Sequence, residues 1–75
     1  DRQKLIEENI KLLDKHIKIL EEILRLLKKD IDLLKKSSSE EVLEELKKIH
    51  RRIDKLLDES KKIHKRSSEI VKKRS

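Results

Sequence analysis

The chain contains no cysteine, glycine, proline or aromatic residue, and alanine, threonine and methionine are missing too, so eleven amino-acid types make up all 75 residues. Without cysteine there are no disulfides, no thiolate metal ligands and no thiol nucleophile, and the redox compartment leaves no trace. Without aromatic rings nothing can stack on a nucleobase. Without glycine or proline the strongest turn signals are gone. Apolar runs never exceed two residues, against about eighteen for a membrane span, and no signal-peptide pattern opens the chain. A soluble protein is expected, with no location named.

What remains is charge and aliphatic hydrocarbon. Charged residues make up 51% and apolar ones 33%, a mixture that suggests disorder in an unpatterned chain. Here the apolar third is strictly periodic, and periodicity overrules composition. The net charge of +6 divides into +2 over residues 1–36 (ten Lys/Arg, eight Asp/Glu) and +4 over residues 37–75 (twelve against eight). Such an excess favours acidic partners.

Over residues 2–36 the apolar residues fall in rows of sevens, which is helical spacing. Leu5, Leu12, Ile19, Leu26 and Leu33 form one row; Ile6, Leu13, Leu20, Leu27 and Leu34 form a second; Ile10, Ile17, Leu24 and Ile31 form a third. A fourth row, Asn9, His16, Ile23 and Asp30, lies between the first two, so its polar members sit inside the apolar stripe. On the outer face Glu7 precedes Lys11, Asp14 precedes Lys18 and Glu21 precedes Arg25 by four residues, the orientation that supports a helix.

Ser37, Ser38 and Ser39 interrupt the pattern, and Ser38 with Glu41 matches a capping box for a second helix over 39–73. That helix carries Val42, Ile49, Leu56, Ile63 and Ile70 along one edge of its stripe, Leu43, His50, Leu57, His64 and Val71 along the other, and Leu46, Ile53, Ser60 and Ser67 between them. Equal lengths and a short connection predict a single all-α domain over 1–75, an antiparallel helical hairpin with helix 2–36, connection 37–39 and helix 39–73. Facing residues should then have numbers summing to roughly 76, which sets Asn9 against Ser67, His16 against Ser60, Ile23 against Ile53 and Asp30 against Leu46.

His64, one turn from Ser60 and from Ser67, would join His16, Ser60, Ser67 and Asn9 in one buried polar cluster. Asp30 and His50 form a candidate second pair, offset by about one turn, although Asp30 has no good partner at its own level. For His50 and His64, at the stripe's edge, the alternative is a margin residue with one face in water.

The stripe of the first helix spans about 155° of its circumference, more than one neighbouring helix covers. A hairpin alone would leave much of it wet, so a second hairpin closing a four-helix bundle, or three forming a six-helix bundle, is expected. The interface core would comprise Ile6, Ile10, Leu13, Ile17, Leu20, Ile23, Leu24, Leu27, Ile31, Leu34, Leu46, Ile49, Ile53, Leu56, Leu57, Ile63 and Ile70. Buried polar groups discriminate between partners, because a wrong pairing leaves them unsatisfied at about 1–3 kcal/mol each. Together with the charge of +6 per copy, this favours a different, acidic partner over self-assembly.

The restricted alphabet, the Glu8-Asn9-Ile10 and Lys15-His16-Ile17 settings, and the Ser37-Ser38-Ser39-Glu40-Glu41 connection resemble de novo designed helical hairpins that assemble through buried hydrogen-bond networks. Within that class the chain is most similar to designed heterodimers, in which two hairpins form a four-helix bundle. The resemblance implies a synthetic chain with no catalytic activity, whose function is selective protein binding. Homotrimeric designs with buried histidines share the style, so the alternative is a homo-oligomeric bundle, dimeric or with threefold symmetry, that comes apart in acid.

Rival functions have less behind them. Ser60 and His64 stand one helical turn apart, but no glycine turn or pocket-forming residue accompanies them, so no enzyme is expected. No His-x-x-x-His or Glu-x-x-His spacing marks a metal site, His50 and His64 are about 21 Å apart along one helix, and no cofactor or small-molecule substrate is implied. Lys61, Lys62, Lys65, Arg66, Lys72, Lys73 and Arg74 are interleaved with acids and read as a solvated face rather than a nucleic-acid site. Lys4, Lys11, Lys18 and Arg25 on the outer face read the same way. The central polar row argues against adsorption to a membrane.

Overall fold

Both periodic segments form uninterrupted 35-residue α-helices, α1 over Arg2–Lys36 and α2 over Glu40–Arg74, in a computed structural model that describes residues 1–74. The helices pack against each other as an antiparallel hairpin with principal extents of 56 × 15 × 14 Å. The long dimension is that expected for 35 residues at about 1.5 Å each. No helix among the described residues is long and apolar enough to cross a membrane.

Local chemistry explains where each helix begins and ends. Asp1 caps α1, its carboxylate accepting the Gln3 N–H at 3.0 Å, and Lys35 and Lys36 place positive charge in the last turn. Ser37 ends the helix in extended conformation (φ −171°, ψ 158°) while its N–H still donates to the Leu33 carbonyl. Ser39, and not Ser38, caps α2: its carbonyl accepts the first helical bond from Leu43, and its hydroxyl accepts the Val42 N–H at 3.4 Å. Ser37 Oγ in turn accepts the Ser39 N–H at 3.1 Å. The Ser38–Glu41 capping box expected from the sequence is therefore shifted by one residue, and with valine at the third helical position the return arm is absent. Glu40 and Glu41 in the first turn of α2 supply the charge that complements the helix dipole.

The core lies along a single seam. Ile19, Ile23, Ile49, Ile53, Leu56 and Ile63 form the buried cluster, with Leu12, Leu26 and Leu33 packed at its margin. Leu46 and Ile70 are buried as well, Ile70 completely. These residues belong to the Leu5 and Asn9 rows of α1 and the Val42 and Leu46 rows of α2. A two-helix contact is a narrow seam, and this one takes two of the four apolar rows of α1 and two of the three of α2.

Of the outer-face pairs expected on α1, Asp14 and Lys18 meet at 3.2 Å. Arg25 turns instead to Glu22 at 3.8 Å, and Glu7 accepts from the Gln3 amide at 3.3 Å.

Candidate functional site

The candidate site is the side of the hairpin that its own folding leaves uncovered. Eight large apolar side chains of α1 (Ile10, Leu13, Ile17, Leu20, Leu24, Leu27, Ile31 and Leu34) and three of α2 (Leu43, Leu57 and Val71) are 43–61% exposed. They come from the Ile6 and Ile10 rows of α1 and the Leu43 row of α2. Because the helices run antiparallel, the rows reached by turning one way round α1 and the opposite way round α2 lie on the same side of the seam. The exposed rows thus make one apolar face spanning both helices.

The opposite side of the seam is closed by charge. Arg66 donates to both carboxylate oxygens of Glu8 (Nε to Oε1 at 2.9 Å, Nη2 to Oε2 at 3.0 Å), and Arg52 reaches Glu22 at 3.2 Å. The sequence reading overlooked both pairs. Their signal was present: each joins an acid beside the Leu5 row to an arginine beside the Val42 row, with residue numbers summing to 74.

Polar layers cross the seam at three levels. His16 Nε2 and Ser60 Oγ share a hydrogen bond at 2.5 Å, and Ser67 Oγ–H donates to Asn9 Oδ1 at 2.5 Å. Both pairs have numbers summing to 76, and Ile23 and Ile53 are buried in the apolar layer between His16 and Asp30. Toward the connection, His50 donates from Nε2 to Asp30 Oδ2 at 2.7 Å. Asp30 is buried, whereas the His50 side chain is 63% exposed.

One expectation changes here. His64 does not join the cluster: it stands exposed, without a hydrogen bond to any described residue, while His16 and Asn9 pair separately with Ser60 and Ser67. Its row faces the open side once α2 packs through its Val42 and Leu46 rows. The candidate pair of Asp30 with His50, by contrast, forms as expected, with His50 one turn beyond the facing Leu46. Helical side chains lean toward the N-terminus of their helix, so the His50 ring covers the level below its own Cα. Only Asp30 Oδ1 is buried without a partner among the described residues.

The expected interface core also divides. Ile23, Leu46, Ile49, Ile53, Leu56, Ile63 and Ile70 are consumed within the hairpin, and Ile6 is half-buried. Ile10, Leu13, Ile17, Leu20, Leu24, Leu27, Ile31, Leu34 and Leu57 belong to the open face. Among the described residues there is no enclosed pocket and no group of three His, Cys, Asp or Glu that could hold a metal ion.

Fold and site together define an all-α antiparallel helical hairpin, crossed by polar layers within its seam, closed by cross-helix ion pairs on one side and largely apolar and open on the other. No protein-family model, curated protein or solved structure matches the chain.

Proposed function

We propose that this chain is a protein-association module whose open face seats a second helical hairpin, of different and acidic sequence, to close a four-helix bundle. The observation that carries the reading is the set of eleven apolar side chains left 43–61% exposed on one side of the hairpin. An apolar strip that is continuous along α1 and alternates with His50 and His64 along α2 exceeds the scattered surface leucines of an ordinary monomer and has the shape of a helix-packing surface. The charge of +6 supports an acidic partner, since two copies carry +12 between them and an acidic chain converts that repulsion into attraction. The eleven-letter alphabet and polar layers in a Leu/Ile seam are those of designed hairpins made for selective pairing. Selectivity rests on the polar groups: the Asn9 amide has donors beyond the one bond its oxygen makes to Ser67, and His50 keeps a second ring nitrogen beyond the bond it makes to Asp30.

Native mass spectrometry and sedimentation of the chain, alone and mixed with a synthetic acidic hairpin of equal length carrying a Leu/Ile seam, test the reading. A 1:1 complex is expected, and its loss when Leu20→Glu and Leu24→Glu place charge in the open face. A stable dimer or trimer of this chain alone that does not exchange with the acidic hairpin would overturn it in favour of a homo-oligomer.

A further inference from the structure

The charged rows bordering the open face hold a pattern that the net charge conceals. Beside the Ile10 row of α1 run Glu7, Asp14, Glu21, Lys28 and Lys35; beside the Leu43 row of α2 run Glu40, Lys47, Asp54 and Lys61. All are exposed, and the pairings of Asp14 with Lys18 and of Lys47 with Glu44 are solvated pairs of little strength that do not commit them. This border carries five acids and four bases, so the excess positive charge lies elsewhere, divided between the two helices. A uniformly acidic partner is thus not what the border itself asks for.

Each border row is complementary to itself when reversed. Placed antiparallel to a second α1 with paired numbers summing to 49, Asp14 meets Lys35 and Glu21 meets Lys28, each twice by symmetry. Placed antiparallel to a second α2 with numbers summing to 101, Glu40 meets Lys61 and Lys47 meets Asp54, again twice. One rigid hairpin has to satisfy both at once. The first sum puts the twofold axis at the level of residue 24.5 on α1 and the second at residue 50.5 on α2; those levels add to 75, within one residue of the 76 kept by His16–Ser60 and Asn9–Ser67 inside the hairpin. Moving α1 to the next heptad register, with numbers summing to 42, sets Lys47 against Lys61 and Asp54 against Asp54 on α2 and is refused by charge. At the favoured register Leu24 lies near the axis facing Leu24 of the second copy, and Ile17 faces Ile31, so apolar residues also meet apolar ones.

We infer that the free chain closes its open face on a second copy of itself, the α1 helices antiparallel and the two hairpins staggered about the level of Leu24, and that an acidic hairpin acts by displacing this copy. The inference shares its face with the proposed function and does not depend on the acidic partner. The stagger leaves the open ends of both hairpins, with Ile10 and Val71, outside the contact. Together with the overall repulsion between copies, this makes the homodimer the weaker assembly and keeps the face available for exchange.

Charge-swapped variants of the chain itself provide the test. Sedimentation equilibrium of the wild type should show a concentration-dependent monomer–dimer mass. Lys28→Glu with Lys35→Glu lowers the net charge from +6 to +2, counting two units lost per substitution, and on net charge alone should tighten self-association. The register instead requires it to weaken at least tenfold, because Asp14 and Glu21 then face glutamates. Asp14→Lys with Glu21→Lys should weaken likewise, and an equimolar mixture of the two variants should recover a dimer at least as tight as the wild type. In a separate Leu24→Cys variant, oxidation should link two chains readily, and in Ile10→Cys it should not. A wild type monomeric at every concentration, or a Lys28→Glu/Lys35→Glu variant that dimerises more tightly than wild type, would overturn the inference while leaving pairing with an acidic hairpin intact. Failure of the acidic hairpin to bind, with the swap pattern upheld, would do the reverse.

Discussion

His50 Nε2 donates to Asp30 Oδ2 at 2.7 Å, four residues out of the register kept by the other two polar layers. His16–Ser60 and Asn9–Ser67 join facing positions, whereas His50 reaches back one turn to a carboxylate that would otherwise sit against Leu46. The pair does two things. It supplies a donor to a buried carboxylate, and it leaves the second ring nitrogen of His50 without a hydrogen bond to any described residue. Asp30 Oδ1 stays buried without a partner, so the layer is half satisfied within the hairpin.

That half-satisfied state sets opposite expectations for its two members. His50→Ala removes the donor and strands the carboxylate, a change that typically costs about 1–3 kcal/mol. Asp30→Leu removes the buried polar group altogether and frees His50 into water, and should be neutral or stabilising by about 1–4 kcal/mol. Urea unfolding at fixed chain concentration separates the two, and a midpoint that falls in Asp30→Leu would contradict this assignment.

The His16–Ser60 bond should appear as a coupling energy. His16→Leu and Ser60→Ala each leave one polar group of the seam unpaired, while the double variant leaves neither. A double-mutant cycle should give about 1 kcal/mol of interaction between the sites. Additive losses would mean that the two side chains do not share a bond in solution.

Under the proposed function, Asn9 exchanges stability for selectivity through its bond to Ser67. Asn9→Leu alone strands the buried Ser67 hydroxyl, which must fall back on its own helix carbonyls, so its gain in stability should be small. Combining it with Ser67→Ala should raise the unfolding midpoint above either single variant and weaken discrimination between a polar and an all-apolar acidic hairpin. Unchanged discrimination in a competitive mixing assay would remove Asn9 from the selectivity argument.

The connection offers a local check. Ser39→Ala deletes the cap hydroxyl that accepts from Val42 N–H and should cost about 1 kcal/mol, whereas Ser38→Ala, with no side-chain bond to either helix among the described residues, should change stability by a few tenths at most. Equal losses in thermal unfolding would return the cap to Ser38.

Much of the hairpin was legible before folding because its information is periodic. Rows of sevens place apolar residues on one helix face wherever that helix packs, and a register near 76 follows from one short connection between helices of equal length. The pairs His16–Ser60 and Asn9–Ser67 were readable for this reason. Asp30–His50 was legible as a candidate pair one turn out of register, whereas Glu8–Arg66 and Glu22–Arg52 were not, because long side chains lean and reach across a seam by distances that row positions do not encode. The cap at Ser39 escaped as well: three consecutive serines are equivalent in composition, and only backbone geometry selects among them.

The sequence by itself determined two helices, their amphipathic rows and the polar residues set within the stripe of α1, since these depend on local propensity and spacing alone. The tertiary structure decided which rows the hairpin consumes. Packing through the Leu5 and Asn9 rows of α1 and the Val42 and Leu46 rows of α2 buries Ile23, Ile53 and Asp30, turns His64 outward and leaves the Ile10 row in water. A stripe wider than one helix contact can be divided in more than one way, and only the seam that forms distinguishes the residues that hold the hairpin together from those left exposed on its open face.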